Sequence, residues 1–131
     1  MIVVYVNDVK KTVEFYKKVF NLETVAYHPD GSYAHVQMNE CIVGFVKTNT
    51  AEYPIQEIHV IDVPQAFSLV YTSKNVIGDY NNAIRNGAKV LNTPHETHWA
   101  KQVAVVSDIN GVVITISGES KPEYMKEMIK I

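Results

Sequence analysis

Residues 8–25, DVKKTVEFYKKVFNLETV, decide the fold once they are set beside residues 75–90, NVIGDYNNAIRNGAKV. Each stretch opens on a short polar residue and a valine, continues in helical period, and ends at an asparagine that leads into strand-like sequence. Asp8 matches Asn75 at an offset of 67 and Asn21 matches Asn86 at an offset of 65, so the second helical segment is two residues shorter. Asn7 or Asp8 can cap the first helix, because a short side-chain oxygen can accept from the free amides of the first turn. In the first copy Val9, Val13, Tyr16 and Phe20 recur at helical spacing and predict the buried stripe, with lysines and Glu14 elsewhere around the axis. In the second, Val76, Tyr80, Ala83, Ile84 and Gly87 predict it.

Strands flank both helices. Ile2 to Val6 is a β-branched run that precedes the first. Thr24–Tyr27, Tyr33–Met38 and Cys41–Val46 follow it, separated by turns at Pro29-Asp30-Gly31 and Asn39-Glu40. The second copy reads Phe67–Thr72, a helix from about Val76 to Asn86, Lys89–Leu91, Lys101–Ser107 and Val112–Ser117, with its last turn at Asp108-Ile109-Asn110-Gly111. The pattern is strand–helix–three strands, twice. The expected class is therefore α+β, with a module over about 1–47, a linker over about 48–65 and a second module over about 66–118. A short amphipathic helix is expected over about 121–131, with Pro122 at its start and Tyr124, Met125, Met128 and Ile129 on one side.

Composition removes several function classes. With 131 residues, 47% of them hydrophobic, the chain can bury a core as one domain built from two half-sized modules. A net charge of −2 favours neither nucleic acid nor an anionic membrane. No run approaches the roughly 18 apolar residues of a membrane span. The N-terminus lacks a secretory pattern. Cys41 has no second cysteine to pair with, which fits a reducing compartment, and a cytoplasmic location is the expectation.

Three pieces carry a family resemblance: Tyr5-Val6-Asn7-Asp8-Val9 with Val13-Glu14-Phe15-Tyr16 and Phe20-Asn21-Leu22; the Asn86-Gly87-Ala88-Lys89-Val90 step; and Asp108-Ile109-Asn110-Gly111 before the last strand. In this order they resemble the vicinal-oxygen-chelate superfamily, which includes glyoxalase I, the fosfomycin and bleomycin resistance proteins and the extradiol dioxygenases. The resemblance implies paired βαβββ modules whose sheets form a cup, usually with a homodimeric partner completing the assembly. It also implies where metal-dependent relatives put their ligands. Here those positions fall at Met1, at Gly44 or Phe45, at Ser68 and at Thr115. Divalent metals of this chemistry want imidazole and carboxylate donors, which these residues do not supply. No metal and no cofactor are therefore expected.

If the helix-covered face of each sheet is apolar, alternation sends His35 and Gln37 to the other side, toward the cup. A plain solvated sheet face is the competing reading. The same parity argument puts Tyr5, Ser68, Val70, Gln102 and Thr115 there, with Phe45 as a further candidate. Trp99, the sole tryptophan, is a candidate to close over a ligand or to be an ordinary buried ring. His95-x-x-His98 with Glu96 is a dense group of possible ligands, but it follows Thr93-Pro94 in what reads as a loop, and a polar rim is the simpler role. His28 and His59 read as ordinary histidines, and Cys41 as a buried, inert thiol. The expected function is binding of a small organic molecule, an antibiotic or metabolite, without a metal. The alternative is a metal-dependent lyase, isomerase or dioxygenase with a site rearranged around His35 and His95 or His98.

Overall fold

The computed structural model describes residues 1–50, 66–97 and 101–119. The expected linker from 51 onward, His98, Trp99 and the expected helix over 121–131 lie outside the described residues. Two compact units account for the chain, 1–64 with 109–111 and 65–108 with 112–131.

In the first unit β1 (Ile2–Val6) leads into α1 (Val9–Phe20), followed by β2 (Thr24–Tyr27), β3 (Tyr33–Met38) and β4 (Cys41–Lys47). The sheet order is β1-β4-β3-β2, with β1 parallel to β4 and the other neighbours antiparallel. A parallel pair needs a crossover, and α1 supplies it. Asp8 caps α1 by accepting from the Lys11 N–H at 3.0 Å. Asn21 ends the helix in the left-handed region at φ 54°, where asparagine is better tolerated than most residues. The stripe that α1 buries is Val9, Thr12, Phe15, Tyr16, Val19 and Phe20, so Val13, expected in the stripe, is only half-buried. Thr12 can enter the core because its hydroxyl donates to the Asp8 carbonyl at 2.8 Å.

The second unit repeats the order. β5 (Leu69–Thr72), α2 (Val76–Arg85), β6 (Lys89–Glu96), β7 (Gln102–Ser107) and β8 (Val113–Ser117) form a sheet ordered β5-β8-β7-β6. Asn75 caps α2 through the Gly78 N–H at 3.0 Å. The positive φ that closes the first helix at Asn21 falls at Gly87 here. Val76 and Ala83 are buried, Tyr80 and Ile84 half-buried, and Gly87 exposed. β6 runs on through Thr93-Pro94-His95-Glu96, which had read as loop, and its pairing with β7 shifts register twice, between Val90 and Asn92 and between Asn92 and His95. Proline is compatible with a strand whose free amide side faces away from the ladder.

Candidate functional site

Each sheet has one face against its helix and one face turned away from it, and the strand registers sort the candidate residues between the two. In the first unit Val4, Val6, Ala34, Val36, Met38, Val43 and Phe45 are all at most 6% exposed. They share the α1 side. Phe45 stacks on Tyr16 of α1 with ring centroids 5.1 Å apart. Its expected place among ligand-binding residues is therefore corrected: it is a core ring, and its neighbour Gly44 takes the position on the opposite face.

That opposite face is a small grid. Tyr5, Val46 and Tyr33 lie in one row across β1, β4 and β3, and Val3, Gly44 and His35 in the next. Alternation adds Met1, Ile42 and Gln37 below. His35 and Tyr5 are half-buried here. Three rings form a ladder that runs from the β2–β3 turn onto β3, with His28 and Tyr33 centroids 5.2 Å apart and Tyr33 and His35 5.8 Å apart. His28 also holds Asp30 through Nδ1 at 2.6 Å. Gln37 shares the face, but its amide nitrogen donates to the Asn39 carbonyl at 2.7 Å, which braces the β3–β4 turn. Cys41, at that turn, is half-buried rather than buried.

In the second unit Leu69, Ala104, Val106, Ile114 and Ile116 form the core on the α2 side, each at most 2% exposed. The opposite face carries Val70, Thr115 and Val105 in one row. Ser68 joins them, its hydroxyl 2.7 Å from that of Thr115. Val103 and Val105 belong to this face and were not among the expected residues. Gln102 does not: it alternates with Ala104 and Val106, and its Cβ lies beside the same point above Gly118 as Val76 of α2. It lines a different cleft of about 530 Å³ with Ser73, Lys74, Val76, Glu96 and Glu119. Tyr71, on the α2 side, has its hydroxyl pKa raised by burial and then by the Asp79 carboxylate.

The chemistry of the implied metal positions can now be judged from their surroundings. Ser68 and Thr115 satisfy one another, and Met1 and Gly44 sit beside His35. Neither the thioether and glycine of the first unit nor the two hydroxyls of the second offer the imidazole and carboxylate donors that Zn, Fe, Ni or Mn want. Among the described residues no three His, Cys, Asp or Glu side chains gather into a possible metal site. His95 turns its Nδ1 to the Thr93 carbonyl at 2.9 Å, and His98 lies outside the described residues. No described helix is long and apolar enough to cross a membrane.

Comparison with known proteins agrees with this architecture. A glyoxalase-related enzyme from Fulvimarina pelagi superposes with a TM-score of 0.70 at 14% identity, over 91% of this chain and 87% of that one. TioX from Micromonospora sp. ML1 gives 0.67 at 16% identity, over 89% and 96%. The fosfomycin resistance protein FosX from Mesorhizobium loti gives 0.66 at 9% identity, over 95% and 93%. No curated protein sequence matches the chain. Identities this low speak for the fold alone. A family model, however, matches residues 1–116 directly, and the chain belongs to the Glyoxalase/Bleomycin resistance protein/Dioxygenase superfamily.

Proposed function

We propose that this chain captures a small organic molecule without using a metal. The observation that carries the reading is the Ser68–Thr115 hydroxyl pair at 2.7 Å, which stands where the family resemblance implies two metal ligands. Neutral hydroxyls paired with each other are poor donors to a divalent cation but good partners for an uncharged or weakly polar ligand. Tyr5, Tyr33 and His35 offer aromatic and imidazole surface in the first unit, while Val70, Val103 and Val105 offer apolar surface around the hydroxyls of the second. Trp99 is proposed as a further contact on sequence grounds. One named relative in fold is a fosfomycin resistance protein, which makes antibiotics one class of ligand to screen alongside metabolites.

Two measurements test this together. Elemental analysis of protein purified without added metal is expected to find no stoichiometric transition metal, and a thermal-shift screen is expected to find a stabilising ligand. A hundredfold excess over Kd raises stability by about 2.7 kcal/mol. One tightly bound Ni, Fe, Zn or Mn per chain, lost in His35→Ala, would overturn the proposal in favour of a metal-dependent enzyme.

A further inference from the structure

Gly44 occupies the middle of β4, a central strand, where glycine weakens the sheet and leaves a hole in the side-chain layer. The backbone does not demand it, because Gly44 is not among the glycines with positive φ. Crowding does not demand it either. A Cβ built there would meet His35 Cδ2 at 3.4 Å, Met1 Sδ at 3.6 Å and His35 Nε2 at 3.7 Å, all ordinary contacts. A side chain longer than alanine, however, would take the space in which the His35 imidazole and the Met1 thioether lie against β4. His35 then continues the ring ladder of His28 and Tyr33, whose successive planes are inclined by 39° and 44°.

We propose that this strip on the first unit is a stacking platform for a flat aromatic ligand, with the His35 ring over Gly44 as its floor and Tyr33 as its flank. The inference rests on the small-molecule reading above and narrows it to planar, π-bearing molecules. Three features support it. The rings are contiguous; the Tyr33 and His28 side chains are substantially exposed, at 38% for Tyr33 and 42% for the His28 side chain; and the Met1 sulfur beside Gly44 adds a polarisable contact suited to a ring edge. A saturated molecule of the same outline would bury similar area without the stacking contribution.

The test titrates the full chain, followed by NMR, with naphthalene-2-carboxylate and with its saturated counterpart decahydronaphthalene-2-carboxylate. The flat acid is expected to bind roughly two- to tenfold more tightly, the range that an aromatic contact adds beyond burial. It should shift the ring protons of His35 and Tyr33. Tyr33→Leu, at an exposed position, should remove most of that preference while leaving the spectrum of the rest of the chain intact. Gly44→Leu should weaken both acids by pushing the His35 ring away from β4. Equal affinity for the two acids, or shifts confined to residues 67–72 and 103–117, would overturn the platform while leaving small-molecule capture standing. Binding of neither acid would overturn the platform, and only a failed wider ligand screen would count against capture itself.

Discussion

Phe45 and Gln102 show how a single residue ends on one face of a sheet or the other. β3 alternates Ala34, His35, Val36, Gln37, Met38, so its two faces can be read from polarity alone. β4 and β7 are apolar on both sides, and alternation is silent there. Only their register against a strand of known facing assigns them, and register is a property of the folded pair. Phe45→Ala is expected to cost about 3–5 kcal/mol of stability, as for a fully buried ring, measured by urea unfolding. A ligand-facing Phe45 would instead have shown a loss of binding with little loss of stability. Asp30 offers a pH-dependent check. The Ser32 hydroxyl and then the Ser32 N–H hold its carboxyl below the usual value near 3.8, partly opposed by burial, with His28 adding weaker lowering effects. A depressed carboxyl stabilises the folded form above the unfolded value, and that contribution is lost as pH falls below 3.8 through the folded value. Carbon-13 titration should find Asp30 low, with Ser32→Ala raising its midpoint more than His28→Ala does.

At the scale of elements, the first helix cap was legible as Asn7 or Asp8 because capping chemistry is local, and the structure selects Asp8 and adds Asn75 for the second helix. Asp8 and Asn75 each accept from the amide three residues on, as their side chains allow. The buried stripe of α1 was less legible, since Thr12 reads as polar until its hydroxyl is seen bonded to the Asp8 carbonyl. Gly78 sets two such local effects against each other. Alanine there should gain up to about 1 kcal/mol of helix propensity. Its Cβ, however, would lie 2.5 Å from the Asn75 side-chain nitrogen and 2.8 Å from its carbonyl carbon, displacing a cap worth about 1 kcal/mol. Gly78→Ala is therefore expected to leave the melting temperature unchanged or lower it. The same substitution in an Asn75→Ala background should raise it. Stabilisation of equal size in both backgrounds would show that the cap and the glycine are uncoupled.

For the whole molecule, the repeated order of strands and helix was visible in the sequence because each copy carries its own caps and turns. What was not visible is that residues 109–111, the turn before β8, cluster with the first unit. There the Asn110 amide donates to the Thr12 hydroxyl at 2.9 Å, across 98 positions of sequence. No local pattern announces a bond of that span. Asn110→Ala should cost about 0.5–1.5 kcal/mol in chemical denaturation. Asn110→Asp removes the donor and should cost at least as much.

The irregular pairing of β6 has a consequence for how this protein behaves in company. β6 ends its sheet, is eight residues long, and exposes Val90 and Leu91, a combination that invites further strands to add. Two register shifts against β7 and Pro94, which has no amide hydrogen to donate, make the strand irregular. An edge interrupted in this way is a general guard against the addition of further strands. Pro94→Val should erode that guard, and a faster rise in light scattering on storage at high concentration would reveal it.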